Sequence, residues 1–234
     1  MDLSIIIPTY NEKANLHVLL NSLFSILKKN KIFGEIIVVD DNSPDNTGDI
    51  AEMLKKKYKN LMVIHRAGKL GLSSAAIAGF NIAHGKILCL MDADLSHPAE
   101  KIPAMFKIVS ENRADLVIGS RYVPGGKIIG WGMYRKTLSK GAVLLSRIVT
   151  NVRDPMSGFF MVRKSLLDMP SLNSKGFKIL LEIIVKSKLQ RIVEVPITFI
   201  NRKEGKSKAG FGEIFFYLHN LLGYLASKNV QSNK

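Results

Sequence analysis

The chain has 234 residues, 47% of them apolar, a formal net charge of +15 and one cysteine, which suits a single domain with a substantial core, or one domain and a tail. The lone Cys89 lies in an apolar run and excludes both an intrachain disulfide and a cysteine metal site, which fits a reducing compartment. No signal peptide is expected, and no apolar run reaches the roughly 18 residues of a membrane-spanning helix.

Leu3 to Ile7 reads as a strand, followed by Pro8-Thr-Tyr-Asn-Glu12. Asn15 to Lys29 carries Leu16, Leu19, Leu20, Leu23, Phe24 and Leu27 at helical spacing. Glu35 to Val39 is a second strand and ends on Asp40-Asp41. Asn42 to Gly48 is turn chemistry, with Thr47 or Asn46 as a cap for a helix running to about Tyr58. Leu61 to His65 is a third strand, and a Gly68–Gly71 turn leads into a small-residue helix, Leu72 to Ala83. Ile87 to Met91 is the next strand and ends on Asp92 and Asp94. A helix from about Pro98 to Ser110 and a strand from Asp115 to Gly119 follow. Arg121 to Gly132 reads as a glycine-rich loop, and Tyr134 to Thr150 as a helix. Phe159 to Val162 is expected as a strand, Phe177 to Ser187 as a helix and Ile192 to Phe199 as the last strand. A basic loop spans Asn201 to Gly212, and an apolar, aromatic helix from Glu213 to Lys228 closes the chain.

Strand and helix alternate, and the strands are apolar on both faces. That is the pattern of a mainly parallel sheet flanked by helices in one α/β domain. In such a sheet the carboxyl ends of the strands fall on one edge, where ligands bind. Glu12, Asp40 with Asp41, and Asp92 with Asp94 all lie at or just past strand ends. Residues i and i+2 of an extended segment point the same way, so Asp92 and Asp94 can converge on one ligand. Two hard oxygen donors suit a divalent cation that also takes phosphate oxygens. No Gly-x-Gly-x-x-Gly follows the first strand and no Gly-Lys-Ser/Thr phosphate loop is present, which argues against a dinucleotide dehydrogenase or a P-loop enzyme.

Charge is split unevenly. Residues 1–120 have a net charge of +1 and residues 121–234 a net charge of +14. The second half therefore faces phosphates, anionic lipid or nucleic acid, or is a solvated basic surface. No recognisable nucleic-acid motif is present, and acids would repel that backbone, so no nucleic-acid partner is expected.

Six segments carry a resemblance: Pro8-Thr-Tyr-Asn-Glu12, Val38 to Asp45, Gly71-Leu72, Met91-Asp-Ala-Asp-Leu-Ser-His-Pro98, Gly119-Ser-Arg-Tyr122 and Asp154-Pro-Met-Ser-Gly-Phe159. Together they resemble the family-two glycosyltransferases, and most of all the dolichol-phosphate (polyprenol-phosphate) mannose synthases. Arg202 with Gly205-Lys-Ser-Lys208 resembles their basic acceptor loop. The resemblance spans about residues 3 to 226 and implies an A-type glycosyltransferase fold.

It further implies inverting, metal-dependent transfer from GDP-mannose to dolichyl or another polyprenyl phosphate. A polyprenyl-phosphate glucose synthase, or another family-two enzyme using a UDP-sugar, is the alternative. Pro8, Tyr10, Glu12, Val39 and Asp40 or Asp41 would hold the nucleoside. Asp92 and Ala93 would lie near the ribose and phosphates, and Asp94 would carry Mg2+ or Mn2+ on the diphosphate. Some relatives have a glutamine metal ligand where this chain has Ser96, which is shorter or works through water. Arg121, Arg135, Arg202 and Lys208, with Lys178, would gather the acceptor phosphate and the leaving diphosphate; Asp94, Arg121 and Arg202 are the candidate catalytic residues.

The nucleotide-sugar half is expected at 1–120, the acceptor half at 121–210, and an interfacial or core-packing helix and tail at 211–234. Many relatives append membrane spans there; with the sequence stopping at Lys234, peripheral binding at the cytoplasmic face of a membrane, or through a membrane-anchoring subunit, is expected. The five histidines have no metal spacing and read as structural or surface groups. Trp131 reads as a contact for sugar or lipid, or as a loop anchor.

Overall fold

The structure, a computed structural model, describes residues 1–172, 179–201, 221, 223 and 224. The first half builds four neighbouring parallel strands: β1 (Leu3–Thr9), β2 (Gly34–Asp40), β3 (Leu61–His65) and β4 (Ile87–Leu90). Their crossovers are α1 (Lys13–Lys29), α2 (Thr47–Lys57) and α3 (Leu72–Ile82). The second half supplies α4 (Ile102–Ser110), β5 (Leu116–Ser120), β6 (Lys127–Ile129), α5 (Met133–Ser146), β7 (Phe160–Arg163), α6 (Ile179–Lys186), β8 (Ile192–Pro196) and β9 (Thr198–Ile200). Seven strands form one sheet in the order β3-β2-β1-β4-β7-β5-β8, and β6 pairs with β9 in a small second sheet.

Alternation along β1 divides the core into two layers. Leu3, Ile5 and Ile7 pack with Leu16, Leu20 and Leu23 of α1 and Met105 of α4. Ile6 faces the other way, onto Ala75, Ala76 and Phe80 of α3. Gly79 lets that helix approach closely, since a Cβ there would lie 2.5 Å from Ile6 Cγ2. Both faces are covered, and for this reason the strands are unbroken apolar runs. Cys89 is buried in β4, and burial pushes its thiol pKa up. It is a core residue rather than a reactive one.

Three local features differ from the sequence expectation. Ile192 to Phe199 is two strands: β8 ends at Pro196, opposite Ser120 at the end of β5, and Ile197 N donates the last bond to that strand, to Ser120 O at 3.0 Å. The chain passes to the second sheet, where Thr198–Ile200 pairs with Lys127–Ile129 inside the expected glycine-rich loop. Asn46 sits at the N-cap of α2 but its side chain makes no capping bond. Asp45 does that work instead: its Oδ1 accepts from Thr47 N at 3.0 Å, and its Oδ2 accepts from Lys13 N at 3.1 Å. The expected start of α6 at Phe177, the basic loop after Asn201 and most of the closing helix lie outside the described residues.

β7 is antiparallel to both of its neighbours, β4 and β5. It therefore begins at the edge where the parallel strands end. The segment Asp154–Phe159 is thereby delivered to the same edge as Asp92 and Arg121.

Candidate active site

Register brings the first two strand tips together. Pro8 is the Cα partner of Val39, and Thr9 of Asp40. Beyond β1, Lys69 Nζ sits 4.6 Å over the Tyr10 ring, and Glu12 opens α1 with its Oε2 accepting from Asn15 Nδ2 at 3.0 Å. The Asp40 carboxylate is buried. It accepts from Thr9 Oγ1 at 2.8 Å and from Ser43 N and Oγ at 2.9 and 2.6 Å. Asp41 accepts from Arg66 Nη1 at 2.7 Å and from the N–H groups of Leu70 and Gly71 at 3.0 and 2.9 Å. Gly71 can present that N–H because its φ of +97° lies outside the ordinary range of other residues. An ionised carboxylate has about four acceptor positions. Each acid thus puts most of its capacity into shaping the rim.

The β4 tip carries Asp92, buried Ala93, Asp94 and Ser96. Asp92 Oδ2 accepts from His97 Nε2 at 3.0 Å. Its carboxylate lies against Gly158, where an added Cβ would be 2.7 Å from Oδ2. Asp94 Oδ1 accepts from Ser96 N at 3.1 Å. Ser96 Oγ is buried and has no hydrogen-bond partner.

The donors at this tip are all hard oxygens: two carboxylates and an orphaned hydroxyl. They fit Mg2+ or Mn2+, which bind through a few carboxylates and complete their shells with water and phosphate oxygens. Among the described residues no three His, Cys, Asp or Glu side chains cluster as a closed metal cage. An open site of this kind relies on the substrate for its remaining ligands.

Arg121 follows β5 directly and is buried. Its Nε and Nη2 donate to Asp154 Oδ2 and Oδ1 at 2.8 and 2.7 Å, and its backbone N donates to Oδ2 at 2.9 Å. Burial opposes the charge on the guanidinium, but the hydrogen bonds and charge of Asp154 outweigh it, with smaller help from Asp92, so its pKa is raised. The ring of Trp131 lies 5.3 Å from Arg121 Cζ and 4.2 Å from Arg135 Cζ. Trp131 is itself buried and packs edge-on against Phe199, as a loop anchor does. Arg135, in the first turn of α5, donates from Nη1 to Asn201 Oδ1 at 2.9 Å. It is tied to the residue that precedes Arg202. Lys178, Arg202 and Lys208 lie outside the described residues.

One sheet edge therefore gathers Pro8, Tyr10, Glu12, Val39, Asp40, Asp41, Asp92, Ala93, Asp94, Ser96 and Arg121. Arg135 reaches it through Trp131. Sequence reasoning missed His97, Asp154 and Gly158. Their signal was proximity: His97 stands three residues after Asp94, and the other two lie in the segment that opens β7.

The model of the family described as Glycosyl transferase family 2 matches residues 4–169. The dolichol-phosphate mannosyltransferase of Pyrococcus furiosus is 46% identical over 94% of this chain, which spans 63% of that relative's length. The dolichol-phosphate mannosyltransferase of Saccharomyces cerevisiae is 40% identical over 94% of this chain and 86% of its own length. A mannosyltransferase of Pyrobaculum calidifontis, solved with GDP-Man and Mn2+, superposes with a TM-score of 0.63 at 17% identity, over 98% of this chain and 64% of its own. The likeness at that identity is one of fold, the A-type glycosyltransferase fold. With matches over most of its length, the chain belongs to glycosyl transferase family 2.

Proposed function

We propose that this chain transfers a mannosyl group from GDP-mannose to dolichyl, or another polyprenyl, phosphate with inversion, giving the lipid phosphate mannose and GDP. The observation that carries it is the convergence of Asp92 and Asp94 with a fixed, buried Arg121 on one sheet edge. The names of the two curated relatives support the donor and acceptor classes.

The acceptor needs no general base. A lipid phosphate monoester has a second pKa of about 6 and is mostly dianionic at neutral pH. Its oxygen forms a bond to the anomeric carbon as the bond from that carbon to the β-phosphate oxygen of GDP breaks. One such displacement inverts the centre, and no proton is moved.

The protein must therefore orient two anions and offset charge on the departing diphosphate. Pro8, Tyr10, Glu12 and Val39 frame the nucleoside, with Asp40 and Asp41 holding the rim and offering their remaining acceptor capacity. Asp92, Asp94 and Ser96 would hold Mg2+ or Mn2+, which neutralises diphosphate charge when bound. Arg121 supplies a positive charge that cannot swing away. Arg135, Arg202, Lys208 and Lys178 gather the phosphates. In this proposal residues 1–120 bind the donor and residues 121–210 the acceptor; of 211–234, the described Leu221 and Tyr224 pack in a buried cluster with Val143, Met156 and Leu181, which supports the core-packing reading of that segment. The protein works at the cytoplasmic face, peripherally or with an anchoring subunit. Among the described residues no helix is long and apolar enough to cross a membrane.

The test incubates the protein with radiolabelled GDP-mannose, polyprenyl phosphate and Mg2+ or Mn2+, then extracts into organic solvent. Label is expected in the lipid phase with GDP-mannose and lost when metal is chelated. Label entering only from UDP-glucose would replace the donor.

A further inference from the structure

Two of the arginines assigned to phosphate share one aromatic ring. The chain has a single tryptophan, Trp131, and the centre of its ring lies 5.3 Å from Arg121 Cζ and 4.2 Å from Arg135 Cζ. The two guanidinium carbons are therefore no farther apart than the sum of those distances. Like charges this near repel each other, and the electron-rich face of an indole is the best aromatic partner for a cation. The ring is itself held. Trp131 is 8% exposed and packs edge-on against Phe199 of β9, with centroids 5.4 Å apart. Gly130, just before it, turns the chain at a φ of +81°, and its carbonyl accepts from Asn201 Nδ2 at 3.2 Å.

The two arginines are anchored differently. Arg121 is buried, and Asp154 takes hydrogen bonds from its Nε, its Nη2 and its backbone N. The rings of Tyr122 and Phe199 lie 5.4 and 5.6 Å from its Cζ as well. Arg135 is only half-buried and projects from the first turn of α5, with Nη1 donating to Asn201 Oδ1 at 2.9 Å. A long side chain of this kind has much rotamer freedom to lose, and a flat ring under the guanidinium reduces that freedom. The polar edge of Trp131 does none of this. Its Nε1 is buried with no hydrogen-bond partner. A buried, unpaired N–H costs stability that a phenylalanine would not incur. The contribution of the indole here lies in its broad face.

We propose that Trp131 is a positioning residue whose ring face holds Arg135 at a set distance from Arg121, so that the two guanidiniums meet the acceptor phosphate and the leaving diphosphate together. Arg121 needs no such support, because Asp154 fixes it. Removing the ring therefore releases Arg135 and leaves Arg121 in place, and the effect falls on the acceptor rather than on the donor. The proposal rests on the phosphate roles given to these arginines in the transfer reaction. It adds the residue that spaces them.

The experiment compares steady-state transfer from GDP-mannose to farnesyl phosphate in the full chain and in Trp131→Phe, Trp131→Leu, Arg135→Gln and the double variant Trp131→Leu, Arg135→Gln. Trp131→Leu should raise KM for farnesyl phosphate by about 5- to 30-fold, the scale of one cation–π contact shielded from water. Its kcat and its calorimetric affinity for GDP should be unchanged. Trp131→Phe should keep most of the acceptor affinity. In the Arg135→Gln background Trp131→Leu should raise KM no further, since contacting residues are not additive. A purely structural tryptophan would lower kcat and the melting temperature alike in both backgrounds, and that result would overturn the proposal. So would an unchanged KM in Trp131→Leu, or a Trp131→Phe no better than Trp131→Leu. Fluorescence of the sole tryptophan gives a readout that needs neither catalysis nor a folded Trp131 variant. Arg135→Gln should change the emission of Trp131, and farnesyl phosphate should change it saturably in the unaltered protein. Emission indifferent to both would overturn the proposal. Absence of transfer by the unaltered protein would sink the reaction assigned above, while the emission of Arg135→Gln would still decide whether the ring and Arg135 are in contact.

Discussion

His97 Nε2 lies 3.0 Å from Asp92 Oδ2, and the imidazole side chain is only 2% exposed while the carboxylate is 30% exposed. A buried donor thus fixes a carboxylate that faces the open edge. Phe159 and Phe199 pack around the ring, with centroids 5.4 and 5.2 Å away, and Gly158 lies close against the carboxylate. His97 is a positioning residue for Asp92.

Hydrogen-bond partners of metal ligands affect affinity by about 10–100-fold. His97→Ala should weaken Mn2+ binding in the presence of GDP by that factor, read by electron paramagnetic resonance of the free ion. Gly158→Ala should act in the same direction, because its Cβ would meet Asp92 Oδ2 at 2.7 Å. Unchanged Mn2+ affinity in both variants would leave Asp92 without this role.

Asp94 is half-buried at the strand tip and is tied to the backbone of Ser96. Asp94→Ala should lower transfer by about 100- to 1,000-fold, the scale of losing one electrostatic stabiliser. Away from the core, its effect on stability should stay within about 0.5 kcal/mol. Paired activity assays and thermal melts check this, and retained activity with metal present would remove Asp94 from the site.

Arg121 and Asp154 are both buried and joined by two side-chain hydrogen bonds. Removing one partner leaves the other charge buried alone, at a cost of about 3–5 kcal/mol. Asp154→Ala should therefore lower the urea midpoint strongly. Arg121→Lys should restore only part of the contact, since an ammonium cannot match the guanidinium fork. A midpoint near that of the unaltered protein in Asp154→Ala would show that solvent reaches this pair.

Glu35 is buried in β2. Its Oε1 accepts from Ser4 Oγ and His84 N, both at 2.6 Å, and His84 Nδ1 lies 3.1 Å from Oε2. Burial raises its pKa, but these hydrogen bonds outweigh burial, and the net shift is downward. With the folded value below the unfolded one, its contribution is fully present above the usual glutamate range and is lost as pH falls through the folded value. Thermal melts should show a stability loss from about pH 5 downward that is smaller in Glu35→Gln. The same acid-side slope in both proteins would refute it.

The order of strands and helices was legible because burial on both faces writes uninterrupted apolar runs, and turns write glycine, proline and acid between them. The first three crossovers and the strand-end acids followed from that pattern, since parallel neighbours must end on one edge. Ile197 and Asp45 show where it stopped: an apparently continuous strand changes sheets after Ile197, where β5 ends and β6 becomes the partner, and the capping side chain was two residues before the helix.

Sequence alone determined the acids at the strand ends and the family motifs, because these are local in the chain. Only tertiary structure decided that β7 runs backward between β4 and β5, a choice the alternation of apolar residues does not encode, since a strand buried on both faces reads the same in either direction. That reversal sets Gly158 against Asp92, and Asp154 beside Arg121, across 66 and 33 residues of chain. It also decided which side of α5 meets the protein, leaving the apolar side exposed.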